Sequence, residues 1–256
     1  MIDLHSHILP GIDDGAADLD ESLAIARMAV ADGIHQMIAT PHNTDWERIG
    51  SRGDLNGRLS TLQAALDDAG IPLRMYPGSE VHITPDLVER VRADQVISLN
   101  NSRYVLIELP FFTYPHYVEQ IFFEIAVEGI TPVVAHAERY AAVQEKPELL
   151  APLVERGVLV QITSLSLVGD FGKQARRAAV SLLTRGLAHV IASDGHNTHS
   201  RPPLLSEAVS VAAAHVGESR ARKMVTEIPQ AILDNTPLVV DPPQPVSPRK
   251  KWFGLW

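Results

Sequence analysis

The sequence contains no cysteine. This removes disulfides, thiolate metal sites and any cysteine nucleophile. No charged n-region followed by an apolar h-region opens the chain, so no secretory signal is expected. No apolar run is long enough to cross a bilayer, and the expected location is cytoplasmic. Basic residues are in the minority: 22 Lys and Arg face 31 Asp and Glu, a formal charge of -9 at pH 7. That balance argues against a body-wide footprint for nucleic acid, and so against a nuclease, while leaving room for a local basic pocket. A Gly-rich phosphate loop is also missing, which disfavours an open dinucleotide-binding sheet.

What remains is an ordinary globular composition, 45% hydrophobic and 21% charged over 256 residues, enough to bury a full core. Strand-like and helix-like stretches alternate. "MIDLHSH", "IHQMIATPH", "PLRMYPGSEV", "RYVLIELP", "TPVVAH", "VLVQIT" and "AHVIASDGH" read as seven strands. The first helix candidate, "DLDESLAIARMAVADG", has capping-box spacing at Asp18 and Glu21. Leu23, Arg27 and Val30 line one side of it, and Gly33 ends it. Leu55, Leu59, Leu62 and Leu66 form the stripe of the next helix. Seven such repeats predict the α/β class and an α/β barrel over residues 1–235. From residue 236 to 256 the Pro-rich, basic-aromatic "TPLVVDPPQPVSPRKKWFGLW" reads as a tail outside the core.

Six of the seven strand candidates end in His, Asp or Glu. His5 and His7 end the first, His42 the second, Glu80 the third, Glu108 the fourth and His136 the fifth. Asp194 and His196 end the seventh. In a parallel barrel these ends share one face, where loops build an active site. Residues i and i+2 lie on one side of a strand, so both imidazoles of "HSH" can enter one cavity. A lone strand-end histidine is more often a hydrogen-bonded structural residue. The recurrence, together with "SDGH" on the strand that would neighbour the first, favours a metal centre. Nitrogen and oxygen donors without sulfur suit Mn, Fe or Zn, with Mg less suited to so many imidazoles. About eight or nine side chains at roughly three or four per ion imply two or three ions.

Arg139 and Arg201 follow two of these strand ends and offer planar forks that match phosphate oxygens. The other histidines read more plainly. His82, two residues past Glu80, can face the site, but the plainer reading leaves it outside; His35, His189 and His215 read as structural or exposed. His199 reads as solvated, and His116 with Tyr117 as a helix start. Ser164 and Ser166 lack a nucleophile elbow.

The ordered set "DLHSH", "TPH", "GSE", "IELP", "VVAHAERY" and "ASDGHN" resembles the PHP (polymerase and histidinol phosphatase) superfamily. "MIDLHSHILPGIDDGA", "TPVVAHAERY" and "SDGHN" followed by "RPP" resemble, more narrowly, the manganese-dependent protein tyrosine phosphatases of bacterial capsule and exopolysaccharide systems. The resemblance spans Met1 to about Asn235. It implies a distorted seven-stranded (β/α)7 TIM-like barrel, the PHP fold. It implies one metal on His5, His7, Glu80 and Asp194, and a second sharing Glu80 and adding Glu108 and His136. A third metal would take Asp14, His42 and His196. Asp13 adjoins Asp14, and their roles are exchangeable at this level. Arg139 and Arg201 match the phosphate-contacting arginines.

The resemblance further implies Mn2+ as the cofactor, with Fe or Zn as alternatives. The implied substrate is the phosphotyrosine-bearing tail of a bacterial tyrosine kinase that controls polysaccharide export. Without cysteine the phosphocysteine route is closed, so a metal-bridged hydroxide must attack phosphorus directly. The general acid stays unassigned. The alternative is a PHP-type phosphatase of a small phosphomonoester such as histidinol phosphate. A binding protein on a decayed barrel would lack ligands, and every ligand position here is filled. The tail "PRKKWFGLW" suits peripheral contact with an anionic membrane surface; a tail without such contact is the alternative.

Overall fold

Near-continuous runs of buried residues form most of the eight parallel strands among the described residues. The structure, a computed structural model, describes residues 1–42, 51–239 and 241–243. β1 (Ile2–Ser6), β2 (Gln36–Ala39) and β3 (Arg74–Pro77) form one sheet in that order. β4 (Glu80–His82), β5 (Tyr104–Glu108), β6 (Thr131–Val134), β7 (Leu159–Thr163) and β8 (Val190–Ala192) form the other. All pairings are parallel. Isolated parallel bridges join the two sheets at both borders, Ser6 with Gly195 and His42 with Glu80. A smaller core cluster draws Leu4, Ile38, Leu106, Val133, Leu159 and Val190 from both sheets. The larger cluster packs the opposite strand faces against the helices, the layering expected when every strand is covered on both sides.

The third expected strand is split. β3 belongs to the first sheet and β4 to the second, with Gly78 and Ser79 between them. A Cβ on Gly78 would lie 2.7 Å from Ile38 Cγ2, so only glycine lets the chain pass this close to β2. Glu80 therefore opens a strand instead of ending one.

Helix α1 (Leu19–Ala31) starts as the capping signal predicts. The Asp18 side chain accepts from the Glu21 backbone N–H at 2.9 Å, and Glu21 accepts from Ala17 N–H at 2.9 Å. Its buried face is not the expected one. Ser22, Ile25, Ala26 and Ala29 are buried, whereas Arg27 is exposed and Leu23 and Val30 are half-buried. The true face is made of small residues, with Ser22 Oγ donating to the Ile8 carbonyl at 2.7 Å, so a search for large apolar residues falls on its flank. In α2 (Arg52–Asp68) the four leucines are buried as expected.

The boundary at Asn235 is soft. The Tyr104 hydroxyl donates to the Thr236 carbonyl at 2.7 Å and accepts from Leu238 N–H at 3.0 Å. The basic-aromatic end of the tail lies outside the described residues. No helix among the described residues is long and apolar enough to cross a membrane.

His35, His116, His199 and His215 are exposed, and His189 is buried. His189 Nδ1 accepts from Val160 N–H at 3.0 Å, while Nε2 has no partner. Burial, with Arg220 nearby, pushes its pKa down to about 4. An unfolded chain takes up that proton near pH ~6.5. Between those values the unfolded state binds a proton that the folded state does not. The stability is complete above the unfolded value and falls as pH drops toward 4, by at most ~3 kcal/mol. Urea unfolding at pH 7.5 and 4.5 should therefore show wild type losing about 2–3 kcal/mol more than His189→Gln between the two conditions. Equal losses would refute this.

Candidate metal centre

Parallel strands bring their C-terminal ends to one side, and the expected residues meet there. Glu80 sits at the middle. Its Oε2 lies 3.3 Å from His5 Nε2, 3.5 Å from His7 Nε2 and 3.2 Å from His42 Nδ1. Its Oε1 bonds His136 Nε2 at 2.8 Å. Asp194 Oδ1 approaches His5 Nε2 to 3.3 Å and His7 Nε2 to 3.5 Å. On the β5 side, Glu108 Oε1 is 3.6 Å from His136 Nε2. At the outer edge Asp14 Oδ1 lies 3.4 Å from His42 Nε2 and 3.3 Å from His196 Nε2. Among the described residues, three groups each have all their donor atoms within 4.8 Å of one another: His7, Asp14, His42 and His196; His5, His7 and Glu80; His42, Glu80 and Glu108.

The geometry separates the two neighbouring aspartates. Asp13 turns inward, with Oδ2 bonding His7 Nδ1 at 2.8 Å and accepting from His42 N–H at 3.2 Å. It orients a ring that presents its other nitrogen to the cluster. Asp14 is exposed and presents its carboxylate to His42 and His196. Gly15 makes this turn possible: a Cβ there would stand 1.9 Å from the His7 carbonyl oxygen, so the loop lies directly on the strand end.

These residues fit divalent cations. His5 Nε2 and His7 Nε2 face each other at 3.2 Å among carboxylate oxygens. Five carboxylates, Asp13, Asp14, Glu80, Glu108 and Asp194, stand against two guanidinium groups, leaving three negative charges when the imidazoles are neutral. Asp194 Oδ1, His196 Nε2 and His136 Nδ1 are buried without a hydrogen-bond partner. Burial alone would depress the His7 pKa; Asp13, Asp194 and Glu80 outweigh it and hold the ring well above the usual value. Burial would likewise raise Glu80, yet His5 and His136 hold it well below the carboxylate range. A cluster that holds protons this way exchanges them for metal, so affinity rises with pH.

Arg139 Nη1 and Arg201 Nη2 both donate to Asp194 Oδ2, at 2.9 and 2.5 Å. Two guanidinium groups thus converge on one oxygen at the edge of the cluster. Asn197 shapes the Arg201 loop, its Oδ1 accepting from the backbone N–H groups of His199, Ser200 and Arg201.

Sequence reasoning missed several supporting residues. Gln161 Oε1 accepts from His5 Nδ1–H at 3.1 Å and from His136 N–H at 2.8 Å. It thereby sets the His5 tautomer and helps hold His136 at φ 28°. Its two-residue spacing from Leu159 in the strand was the available signal. Asp3 accepts from Ser193 Oγ at 2.5 Å and Ser193 N–H at 3.0 Å, fixing the residue before Asp194. Burial, against the Ser193 bonds, raises Asp3 to about 6. Glu138 accepts from Ser166 Oγ at 2.5 Å and Thr163 N–H at 3.1 Å beneath the site. His82 reaches the site indirectly, bonding Glu108 Oε2 at 2.9 Å. Gln161→Ala should lower metal affinity roughly 10- to 100-fold by titration calorimetry; unchanged affinity would remove Gln161 from the supporting set.

Residues 1–234 match the family model of capsular polysaccharide synthesis, CpsB/CapC. The tyrosine-protein phosphatase YwqE of Bacillus subtilis (strain 168) is 40% identical over 256 residues, covering 100% of both chains. The putative tyrosine-protein phosphatase CapC of Staphylococcus aureus is 32% identical over 263 residues, again covering 100% of both. A crystal structure from work on YwqE of B. subtilis and CpsB of Streptococcus pneumoniae, described as metal-dependent tyrosine phosphatases, superposes with a TM-score of 0.92. It is 40% identical and covers 96% of this chain and 100% of that one. Full-length similarity of sequence and fold places this chain in the CpsB/CapC capsular polysaccharide synthesis family.

Proposed function

We propose that this chain is a metal-dependent protein-tyrosine phosphatase. The observation that supports it best is the convergence of His5, His7, Asp14, His42, Glu80, Glu108, His136, Asp194 and His196 beside two arginines. One cation would take His5, His7, Glu80 and Asp194, a second Glu80, Glu108 and His136, and a third Asp14, His42 and His196. Mn2+ is the proposed ion, with two or three bound. The same reading treats residues 1–235 as one distorted seven-stranded barrel, with β3 and β4 counted as a single interrupted strand. Its substrate would be a phosphotyrosine-bearing bacterial tyrosine kinase, met in the cytoplasm.

When bound, such ions activate water and neutralise charge on a phosphoryl group undergoing in-line displacement. The chain's own residues do the rest. Arg139 and Arg201 are aimed at one point, Asp194 Oδ2. A phosphate dianion arriving there offers more acceptor oxygens than the carboxylate and takes over both forks. Asp13 and Gln161 keep His7 and His5 from rotating, which preserves the ligand geometry through turnover. Purified protein loaded with Mn2+ should release phosphate from phosphotyrosyl peptides, and EDTA should abolish the release. Activity that survives chelation would refute the reading. A much higher kcat/KM for histidinol phosphate than for these peptides would replace the substrate.

A further inference from the structure

Next to the metal-ligand cluster lies an aromatic pocket of about 410 Å³, lined by Phe111, Phe112, Arg139, Gln144, Phe171 and Ala175. Two of its lining residues, Phe111 and Arg139, also touch residues of the centre. Phe111 stacks on His136, with ring centroids 5.4 Å apart and planes 14° apart. The Arg139 guanidinium carbon lies 4.9 Å from the Phe111 centroid and 4.7 Å from that of Phe171. A guanidinium held over two ring faces has little freedom to swing, and its Nη1 points to Asp194. The direction from which a phosphoryl group meets Arg139 is therefore fixed by aromatic side chains. Phe112 completes the wall and is 91% exposed. A singly exposed phenylalanine is unremarkable by itself. This one lines the same pocket as Arg139, whose Nη1 bonds Asp194.

We infer that this pocket receives the phenyl ring of an aryl phosphate ester, and that Phe112 is a specificity-determining residue selecting aryl over alkyl phosphates. The inference rests on the phosphatase reading of the adjacent centre and names how that centre recognises its substrate class. A ring leaving the phosphoryl group on the Arg139 side meets Phe112 and the edge of Phe111, where offset or edge-to-face contact and apolar burial are both available. An alkyl ester has no π-face to offer and gains less from the same wall. Phe112 carries no group able to move a proton, so its contribution is one of binding.

The test uses the manganese-loaded full chain with two small esters, phenyl phosphate and glycerol phosphate, so that no peptide contact intervenes. In Phe112→Ala the ratio of kcat/KM for phenyl over glycerol phosphate should fall about tenfold, carried by KM for the phenyl ester. Phe112→Tyr should restore the ratio. An unchanged ratio in Phe112→Ala, or an equal fall for both esters, overturns the inference while leaving the phosphatase reading intact. Weakening of a phosphotyrosyl peptide with no effect on phenyl phosphate overturns it too, because the pocket then takes a flanking residue. A wild-type protein that hydrolyses neither ester nor any phosphotyrosyl peptide overturns both readings.

Discussion

Glu80→Gln is expected to lower kcat/KM for a phosphotyrosyl peptide by about 10³-fold or more, with a parallel loss of bound metal. The substitution keeps shape and volume, so the fold around β4 should persist. What changes is the donor character. Glu80 faces four imidazoles, those of His5, His7, His42 and His136, through two acceptor oxygens. A glutamine keeps one oxygen and turns an NH2 group toward partners that are themselves donors or cation ligands. It also removes one of the negative charges that make the buried cluster a cation site. Elemental analysis beside the assay checks both halves. Full metal content with undiminished turnover would show that Glu80 is not the shared ligand.

The second large effect is expected at the arginines. Arg201→Ala should cost about 10²- to 10³-fold in kcat/KM, the usual scale for removing an electrostatic contact to a transferring group. Arg201→Lys should recover little of it, because an ammonium lacks the planar fork. Metal content should hold, in contrast to Glu80→Gln. Asp194 loses a competing cation when Arg201 goes, and its carboxylate is then freer for a metal. Burial would raise the Asp194 pKa, but His5, His7 and Arg201 together keep it well below the usual range. Loss of metal on Arg201→Ala would mean that the arginine supports the cluster structurally instead of meeting phosphate.

Much of this site was legible in the chain because strand-end position is a local property. His5, His7, Glu108 and Asp194 follow apolar alternation by one or two residues, and parallel topology does the gathering. Asp14 was reached only through resemblance, since it sits in a loop whose path depends on Gly15 lying against the His7 carbonyl. Gln161 escaped because its importance is in what it touches, and its two partners lie 25 and 156 residues away; Asp13 stood exchangeable with Asp14 until its bond to His7 separated the two. The split at Gly78 and the small-residue face of α1 escaped for a related reason. Both are packing solutions, where the informative feature is the absence of bulk.

The Asp3–Ser193 clasp has a consequence for how the molecule assembles. It joins residues 190 positions apart, and the Asp194 N–H to His5 carbonyl bond at 2.9 Å lies beside it. Contacts of such sequence separation carry the largest loop-closure entropy and reward the chain only after the intervening repeats are in place. The donor set is therefore complete only once β8 has docked beside β1. A chain emerging from the ribosome has its first histidines long before it has their partner aspartate, so metal capture reports completion of folding rather than its start.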